Sequence, residues 1–63
     1  MSYYNIIIEF TNIDVQDERT LTIRLGCSGY DEALRFASEE VEKLYADREY
    51  EVLDVKVEFD FGT

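Results

Sequence analysis

Residues 3–10 read YYNIIIEF, and this stretch decides the fold. Its side chains alternate with a period of two, which is typical of a β-strand. One face carries Tyr4, Ile6, Ile8 and Phe10. The other face carries Tyr3, Asn5, Ile7 and Glu9. Because Tyr3 and Ile7 make this second face partly apolar, we predict that the strand lies at the centre of a sheet rather than at its edge.

A second strand is predicted from Arg19 to Leu25. Its inward positions are Leu21, Ile23 and Leu25, and they alternate with threonines, whose branched Cβ suits a pleated backbone. Between the two strands, the acidic stretch from Asn12 to Glu18 is expected to form the turn. In an alternative interpretation, Ile13 and Val15 prolong the first strand through a bulge.

A helix is predicted to follow the break at residues 26–29, which read GCSG. From Tyr30 the apolar spacing becomes helical, and Phe36 lies off the main apolar stripe. The predicted inward stripe comprises Tyr30, Ala33, Leu34, Ala37, Val41, Leu44 and Tyr45. We expect Ser28 to cap the helix and Asp31 to complete a shortened capping box. The helix should end near residues 46–48.

The last predicted strand runs from about Tyr50 to Phe61 and alternates most clearly. Its predicted inward residues are Leu53, Val55, Val57, Phe59 and Phe61. Its predicted outward residues are Asp54, Lys56, Glu58 and Asp60. Aromatic residues assigned to the core are Tyr4, Phe10, Tyr30, Tyr45, Phe59 and Phe61.

Together these elements predict an α+β fold, a single ββαβ domain over residues 1–63. A hairpin followed by a returning helix places the third strand antiparallel to the first, if the two are neighbours. The sheet is then three-stranded and mainly antiparallel, in the order 2-1-3, with the helix packed on one face and the other face open to water. The alternative is a parallel pairing of strands two and three, which needs a right-handed crossover.

Composition limits the function of this chain. Fifteen Asp and Glu residues against six Lys and Arg give 63 residues a formal net charge of −9. An apolar fraction of 46% still provides a core, so we expect the chain to fold. Cys27 is the single cysteine, which excludes an intrachain disulfide and favours a cytoplasmic location. No apolar run approaches about 18 residues and no signal-peptide pattern is present, and an anionic chain is repelled by anionic membranes and by nucleic acid.

The residues needed for most enzyme chemistry are lacking. The chain has no histidine, the commonest general base and metal ligand. The loop at residues 26–29 resembles a phosphate-binding turn but has no adjoining Lys or Arg. Residues 14–18 cluster carboxylates without the pattern of an EF-hand loop. We therefore predict no catalytic, metal or cofactor site, although a weak cation site at residues 14–18 stays an alternative.

The surplus carboxylates point instead to a protein-binding surface. Outward residues of a strand recur about every 6.6 Å, close to the spacing of roughly 6.8 Å for two nucleotides along one DNA strand. The predicted partner-binding carboxylates lie on the strands, the turn and the helix: Asp54, Glu58, Asp60, Glu9, Asp14, Asp17, Glu18, Glu32, Glu39 and Glu42. Tyr3 and Ile7 are added as an apolar contact on the open face.

A short, proline-free, strongly acidic chain with this element order resembles the small inhibitor proteins of bacteriophages and mobile elements. The nearest comparison is with anti-CRISPR and anti-restriction proteins that imitate DNA. The resemblance covers the whole chain in size, charge and element order, and it includes no diagnostic motif. It implies stoichiometric inhibition of a Lys- and Arg-rich nucleic-acid-binding protein in the cytoplasm of the host cell.

The alternative function is a small structural or regulatory interaction subunit, a monomer or a homodimer, whose acidity serves only solubility. The two hypotheses differ in their expected response to salt, because an electrostatic interface weakens as counterions screen it. An enzyme is the third and weakest hypothesis.

Overall fold

A computed structural model describes residues 2–46 and 49–61 and confirms the predicted α+β fold. The elements are β1 (Ser2–Asn12), β2 (Glu18–Cys27), α1 (Tyr30–Ala46) and β3 (Tyr50–Phe59). Both strand pairings are antiparallel and the sheet order is β2-β1-β3, so the parallel alternative is wrong. The helix covers one face of the sheet. The predicted helix end at residues 47 and 48 lies outside the described residues.

The central position of β1 makes its isoleucines the core of the protein. Ile6 and Ile8 are fully buried beneath the helix. Ile6 is flanked by Ile23 on β2 and by Val57 on β3. Each such burial stabilises the fold by about 1.5–3 kcal/mol. Ile7, between them, points to the open face and is only half-buried.

Two alanines let the helix approach the sheet closely. Ala33 and Ala37 are buried where α1 crosses β1, in contact with Tyr4 and with the two core isoleucines. Phe36, which the helical stripe left out, is half-buried against the same isoleucine cluster. The predicted stripe was therefore displaced around the helix relative to the residues that the sheet covers.

A β-bulge changes the orientation of the first residues of β3. The register with β1 shifts between Glu9, opposite Asp54, and Phe10, opposite Val52, which leaves Leu53 as the extra residue. A bulge inserts one residue and reverses the alternation beyond it. Val52 therefore packs on the core, and the inward prediction for Leu53 was wrong, because this side chain is 47% exposed.

The inward assignment of Phe61 was also wrong. β3 ends at Phe59, and Phe61 lies beyond the strand with 87% of its surface exposed. Its ring packs edge-on against Phe59 at a centroid distance of 4.7 Å. A side chain past the end of the sheet has no helix above it to bury it.

A tight turn closes the β1–β2 hairpin and excludes the alternative in which β1 continues through Ile13 and Val15. The Asn12 side-chain Oδ1 accepts hydrogen bonds from the amides of Asp14 (2.9 Å) and Val15 (3.2 Å). Gln16 adopts a positive φ of 53°, which lets the chain reverse. Asparagine favours such turns because its side chain replaces a backbone acceptor.

The start of the helix differs from the predicted capping box. Ala33 N–H donates to the carbonyl of Gly29, and Glu32, not Asp31, reaches back to Ser28. The Glu32 carboxylate accepts from the Ser28 backbone amide at 3.0 Å and from its hydroxyl at 2.6 Å. Because Gly29 accepts the first helical hydrogen bond, Glu32 and not Asp31 is the third residue of the helix, the position from which a capping acid reaches back.

The Ser28 contacts predict a pH-dependent contribution from Glu32. The Ser28 hydroxyl, then the Ser28 amide and Arg35, hold the pKa of Glu32 below its ordinary value. Its stabilising effect is thus present above the ordinary pKa and is lost as the pH falls through the lowered one. We expect Glu32→Gln to lower the melting temperature at about pH 7 and to lower it less at about pH 3, where more of the Glu32 carboxylate is protonated. Glu39→Gln is the control. A Glu32→Gln deficit of the same size at both pH values would contradict the assignment.

Candidate partner-binding surfaces

The strand register gathers carboxylates at one end of the open face. Glu9 lies directly opposite Asp54, and Thr11 lies between Glu18 and Glu51. Paired residues share a face of the sheet, so these four acids occupy three neighbouring strands. The turn at the same end adds two further exposed acids. We name the set the hairpin-end acidic surface, and its members are Glu9, Glu18, Glu51, Asp54, Asp14 and Asp17.

Little positive charge compensates this surface. Lys56 Nζ lies 3.9 Å from Asp54 Oδ2, and Arg19 Nε lies 3.2 Å from Asp17 Oδ2. Both pairs are solvent-exposed, and exposed pairs of this kind stabilise a protein by only about 0–1 kcal/mol. Within residues 2–46 and 49–61, no ion pair involves Glu9, Glu18 or Glu51. The hairpin-end acidic surface therefore keeps a net negative field.

The opposite end of the open face carries less uncompensated negative charge. Arg24 Nε donates to Asp60 Oδ2 at 2.7 Å, and its guanidinium lies 4.1 Å from the centre of the Tyr3 ring. Arg24 thus covers the Tyr3 ring and compensates Asp60 at once. Tyr3 keeps 42% of its surface exposed. Its predicted role as an apolar contact, with half-buried Ile7 on the same face, stays a prediction.

The predicted row of acids on β3 is interrupted. Asp54 and Glu58 share the open face, as the alternation predicts, with Lys56 between them. Asp60 lies beyond the strand, beside Tyr3 and bound to Arg24. The row therefore splits, with Asp54 joining the hairpin-end acidic surface and the other two acids lying near Arg24.

The helical acids form a separate group. Glu32 and Glu39 are exposed on α1, which packs on the face of the sheet opposite the open one. Glu42 lies at the side of the helix, along the groove described below. One flat partner surface cannot contact both the helix and the open face. The predicted list of partner-binding residues thus falls into two surfaces.

An apolar groove runs between α1 and β3. Its volume is about 530 Å³, and Val55 and Val57 form its sheet side. The helical side comprises Tyr30, Leu34, Ala37, Ser38, Val41, Glu42 and Tyr45. We name this feature the β3 groove. The core assignment of its outer residues was wrong: Tyr30 is 49% exposed, Leu34 41% and Tyr45 56%.

The width of the sheet explains the β3 groove. The helix packs mainly against β3, which is an edge strand, and less against β1 and β2. The flank of α1 that faces away from β1 therefore projects past β3, beyond which the described residues contain no strand. Its apolar residues remain half-exposed and line the groove rather than the core.

Sequence reasoning missed two features of these surfaces. Glu51 was absent from the predicted site because simple alternation places it on the helix side, and the bulge at Leu53 turns it to the open face. The adjacent apolar pair Val52-Leu53 was the available signal, since it breaks the alternation. The β3 groove was missed because the helical stripe was assigned whole to the core.

Other kinds of site find no support among the described residues. They contain no group of three or more His, Cys, Asp or Glu side chains arranged to hold a metal ion. Cys27 is buried with its thiol donating to the Gly29 carbonyl, a packing role. No helix in the described ranges has the length and hydropathy needed to cross a membrane. Comparison with protein-family models, curated proteins and solved structures gave no match.

Proposed function

We propose that this protein is a non-enzymatic inhibitor that binds a nucleic-acid-binding protein through its hairpin-end acidic surface. In this proposal the carboxylates occupy the Lys- and Arg-lined groove that normally contacts nucleic acid phosphates. Inhibition is stoichiometric, as in the DNA-imitating anti-CRISPR and anti-restriction proteins that the chain resembles. The site of action is then the cytoplasm of the cell that contains the target.

The observation that supports this proposal is the grouping of Glu9, Glu18, Glu51 and Asp54 on three adjacent strands. Neighbouring strands lie about 4.8 Å apart and successive residues on one face about 6.6 Å apart. Phosphates along a DNA strand are spaced by about 6.8 Å per two nucleotides on the helix axis. Because each of two successive cross-strand rows holds two of these carboxylates, they supply about one negative charge per 3.3 Å along the strands, comparable to about one per 3.4 Å for a single DNA strand.

The arrangement is also unfavourable for the fold itself. Glu9 and Asp54 are directly opposite one another, and like charges in that position destabilise a sheet. The excess charge of −9 adds long-range repulsion. Solubility alone does not require acids at cross-strand positions, because dispersed charges serve it equally well. A cationic partner would relieve the repulsion between these carboxylates, so the arrangement favours binding at the expense of the stability of the free protein.

The test is capture of a partner from a lysate of the host cell, followed by competition and elution. We expect the captured protein to bind duplex DNA, to lose that binding at an equimolar amount of inhibitor, and to be displaced by excess DNA. Release should occur well below about 1 M NaCl, where the Debye length is near 3 Å. A partner that stays bound in molar salt and ignores DNA would refute the proposal.

A second candidate function is an interaction subunit whose acids serve only solubility. The β3 groove favours it, because half-exposed Tyr30, Leu34 and Tyr45 form an apolar contact surface without help from charge. This candidate predicts binding that changes little with salt. The salt titration of the captured complex therefore separates the two candidates.

A further inference from the structure

The outer edge of β3 offers a row of backbone hydrogen-bonding groups. The Asp60 amide donates to the Tyr3 carbonyl at 2.9 Å, which continues the register that pairs Tyr4 with Phe59. In an antiparallel pair, alternate residues direct both backbone groups to the neighbouring strand. In β3, the residues that alternate with Asp60 therefore direct their backbone N–H and C=O groups away from β1. These residues are Val55, Val57 and Phe59. None of the described strands lies on that side of β3.

One position of this edge already has a substitute acceptor. The Val55 amide donates to Asp54 Oδ1 at 2.9 Å. The Asp54 carboxylate therefore accepts from the Val55 amide, which a further strand would otherwise bind. This contact agrees with the direction of the Val55 amide, away from β1. Natural proteins protect sheet edges with charged side chains of this kind. Val57 and Phe59 are left as the positions at which a further strand would pair.

The free edge and the β3 groove are parts of one site. Val55 and Val57 direct their backbone groups outward and also form the sheet side of the groove. A fourth strand added beside Val57 would place every second side chain beneath the helix flank. Those side chains would contact Leu34 and Tyr45, which the three-stranded sheet leaves partly exposed to solvent. Backbone pairing would give affinity, and the groove would select apolar side chains.

Charge identifies the chemistry of the occupant. On the open face, the remaining side chains of an added strand would lie beside Asp54 and Glu58, with Lys56 between these acids. Opposite charges across neighbouring strands stabilise a sheet. A strand that alternates apolar residues with Lys or Arg therefore matches both faces of the site. The chain's net charge of −9 favours such a segment at long range as well.

A second copy of this chain fits the edge less well. Pairing β3 with itself about Lys56 sets Lys56 against Lys56 and Asp54 against Glu58. Pairing about Val57 sets Asp54 against Asp60, which partly offsets the attraction between Lys56 and Glu58 in the same register. In addition, two chains of charge −9 repel each other before they meet.

The third register of a self-pair meets a different obstacle. Pairing about Val55 brings Val57 opposite Leu53, which is the extra residue of the bulge. A bulge interrupts the ladder of hydrogen bonds at its position. The registers about Lys56 and Val55 thus carry a like-charge pair or meet the bulge, the register about Val57 combines like and opposite charges, and the net charge of −9 opposes each of them.

We propose that the β3 edge and the β3 groove bind an extended segment of a partner protein as a fourth, edge-added strand. In this segment, apolar residues alternate with Lys or Arg. The inference goes beyond inhibition by the hairpin-end acidic surface and does not require DNA mimicry.

The experiment uses a displayed library of nine-residue peptides selected on the whole protein. We expect enriched peptides to alternate apolar and basic residues and to slow amide hydrogen exchange at Val57 and Phe59 by about tenfold or more. Leu34→Glu should weaken binding of these peptides by about tenfold or more, because it puts a charge in the groove. Leu21→Glu is the matched control, being 37% exposed on β2 at the other edge, and should leave binding unchanged.

Several results would overturn this inference. The first is a selection in which no peptide is enriched on the wild-type protein relative to Leu34→Glu. The second is a set of enriched peptides that do not alternate apolar and basic residues. The third is equal peptide binding by Leu34→Glu and Leu21→Glu. Protection of Val57 that rises with protein concentration in the absence of peptide would instead identify a second copy as the occupant. None of these results alters the salt-sensitive, DNA-competed binding assigned to the open face, so the two proposals fail separately.

Discussion

Ile6→Ala is expected to leave the protein largely unfolded at 25 °C, because it removes a fully buried side chain from the centre of the core. The Ile6 side chain is fully buried between Ile23, Val57 and the helix, and its truncation leaves a cavity that costs about 4 kcal/mol. A domain of this size rarely has more than about 3–5 kcal/mol of stability from a single core. Urea denaturation followed by far-ultraviolet circular dichroism measures the loss directly.

Ile7→Ala is the matched control for this experiment. The same chemical change is made one residue along β1, on the open face, where the side chain is only half-buried. We expect a loss of about 1 kcal/mol and a folded protein, since less apolar surface is involved. Losses of equal size for Ile6→Ala and Ile7→Ala would mean that the open face is also buried in solution, as in a homodimer through that face.

The second large effect is expected when Glu9, Glu18 and Glu51 are changed together to glutamine. Binding to the captured nucleic-acid-binding partner should weaken by about 1,000-fold or more, because three charges are removed and close charge pairs across interfaces couple by about 1.5 kcal/mol or more each. The variant itself should become slightly more stable, since it loses the repulsion between Glu9 and Asp54. Asp54 is left unchanged because it also bonds the Val55 amide.

A helix variant separates local recognition from net charge. Asp31→Asn, Glu39→Gln and Glu42→Gln together remove the same number of charges from α1. This variant should retain most of the affinity and most of its salt dependence. Isothermal titration at several salt concentrations compares the two variants. Equal weakening by both would show that total charge, and not the hairpin-end acidic surface, controls binding.

The arrangement of carboxylates on the open face was only partly predictable from the sequence. Alternation placed Glu9, Asp54 and Glu58 on the open face, because the side-chain period of a strand is two whatever surrounds it. Alternation could not show that Arg24 reaches across β1 to Asp60, a contact between residues 36 positions apart. It also excluded Glu51, since a bulge depends on the pairing of two strands and not on one of them.

The core was predicted better at its centre than at its margins. Ile6, Ile8, Ala33 and Ala37 are buried as expected, because every neighbouring element covers them. Tyr30, Tyr45 and Phe59 have equally apolar patterns and are nevertheless half-exposed. Their burial would need a fourth strand beside β3, and a pattern within one helix carries no information on the width of the sheet below it.

The sequence by itself determined the order of elements, the central place of β1 and the excess of negative charge, since these follow from local periodicity and composition. Only the tertiary structure decided which carboxylates lie together, where the bulge reverses the side-chain alternation of β3, and which flank of the helix the sheet does not cover. The physical reason is that pairing register and packing distance are relations between segments. They arise when strands and helix meet and are not present in any one segment.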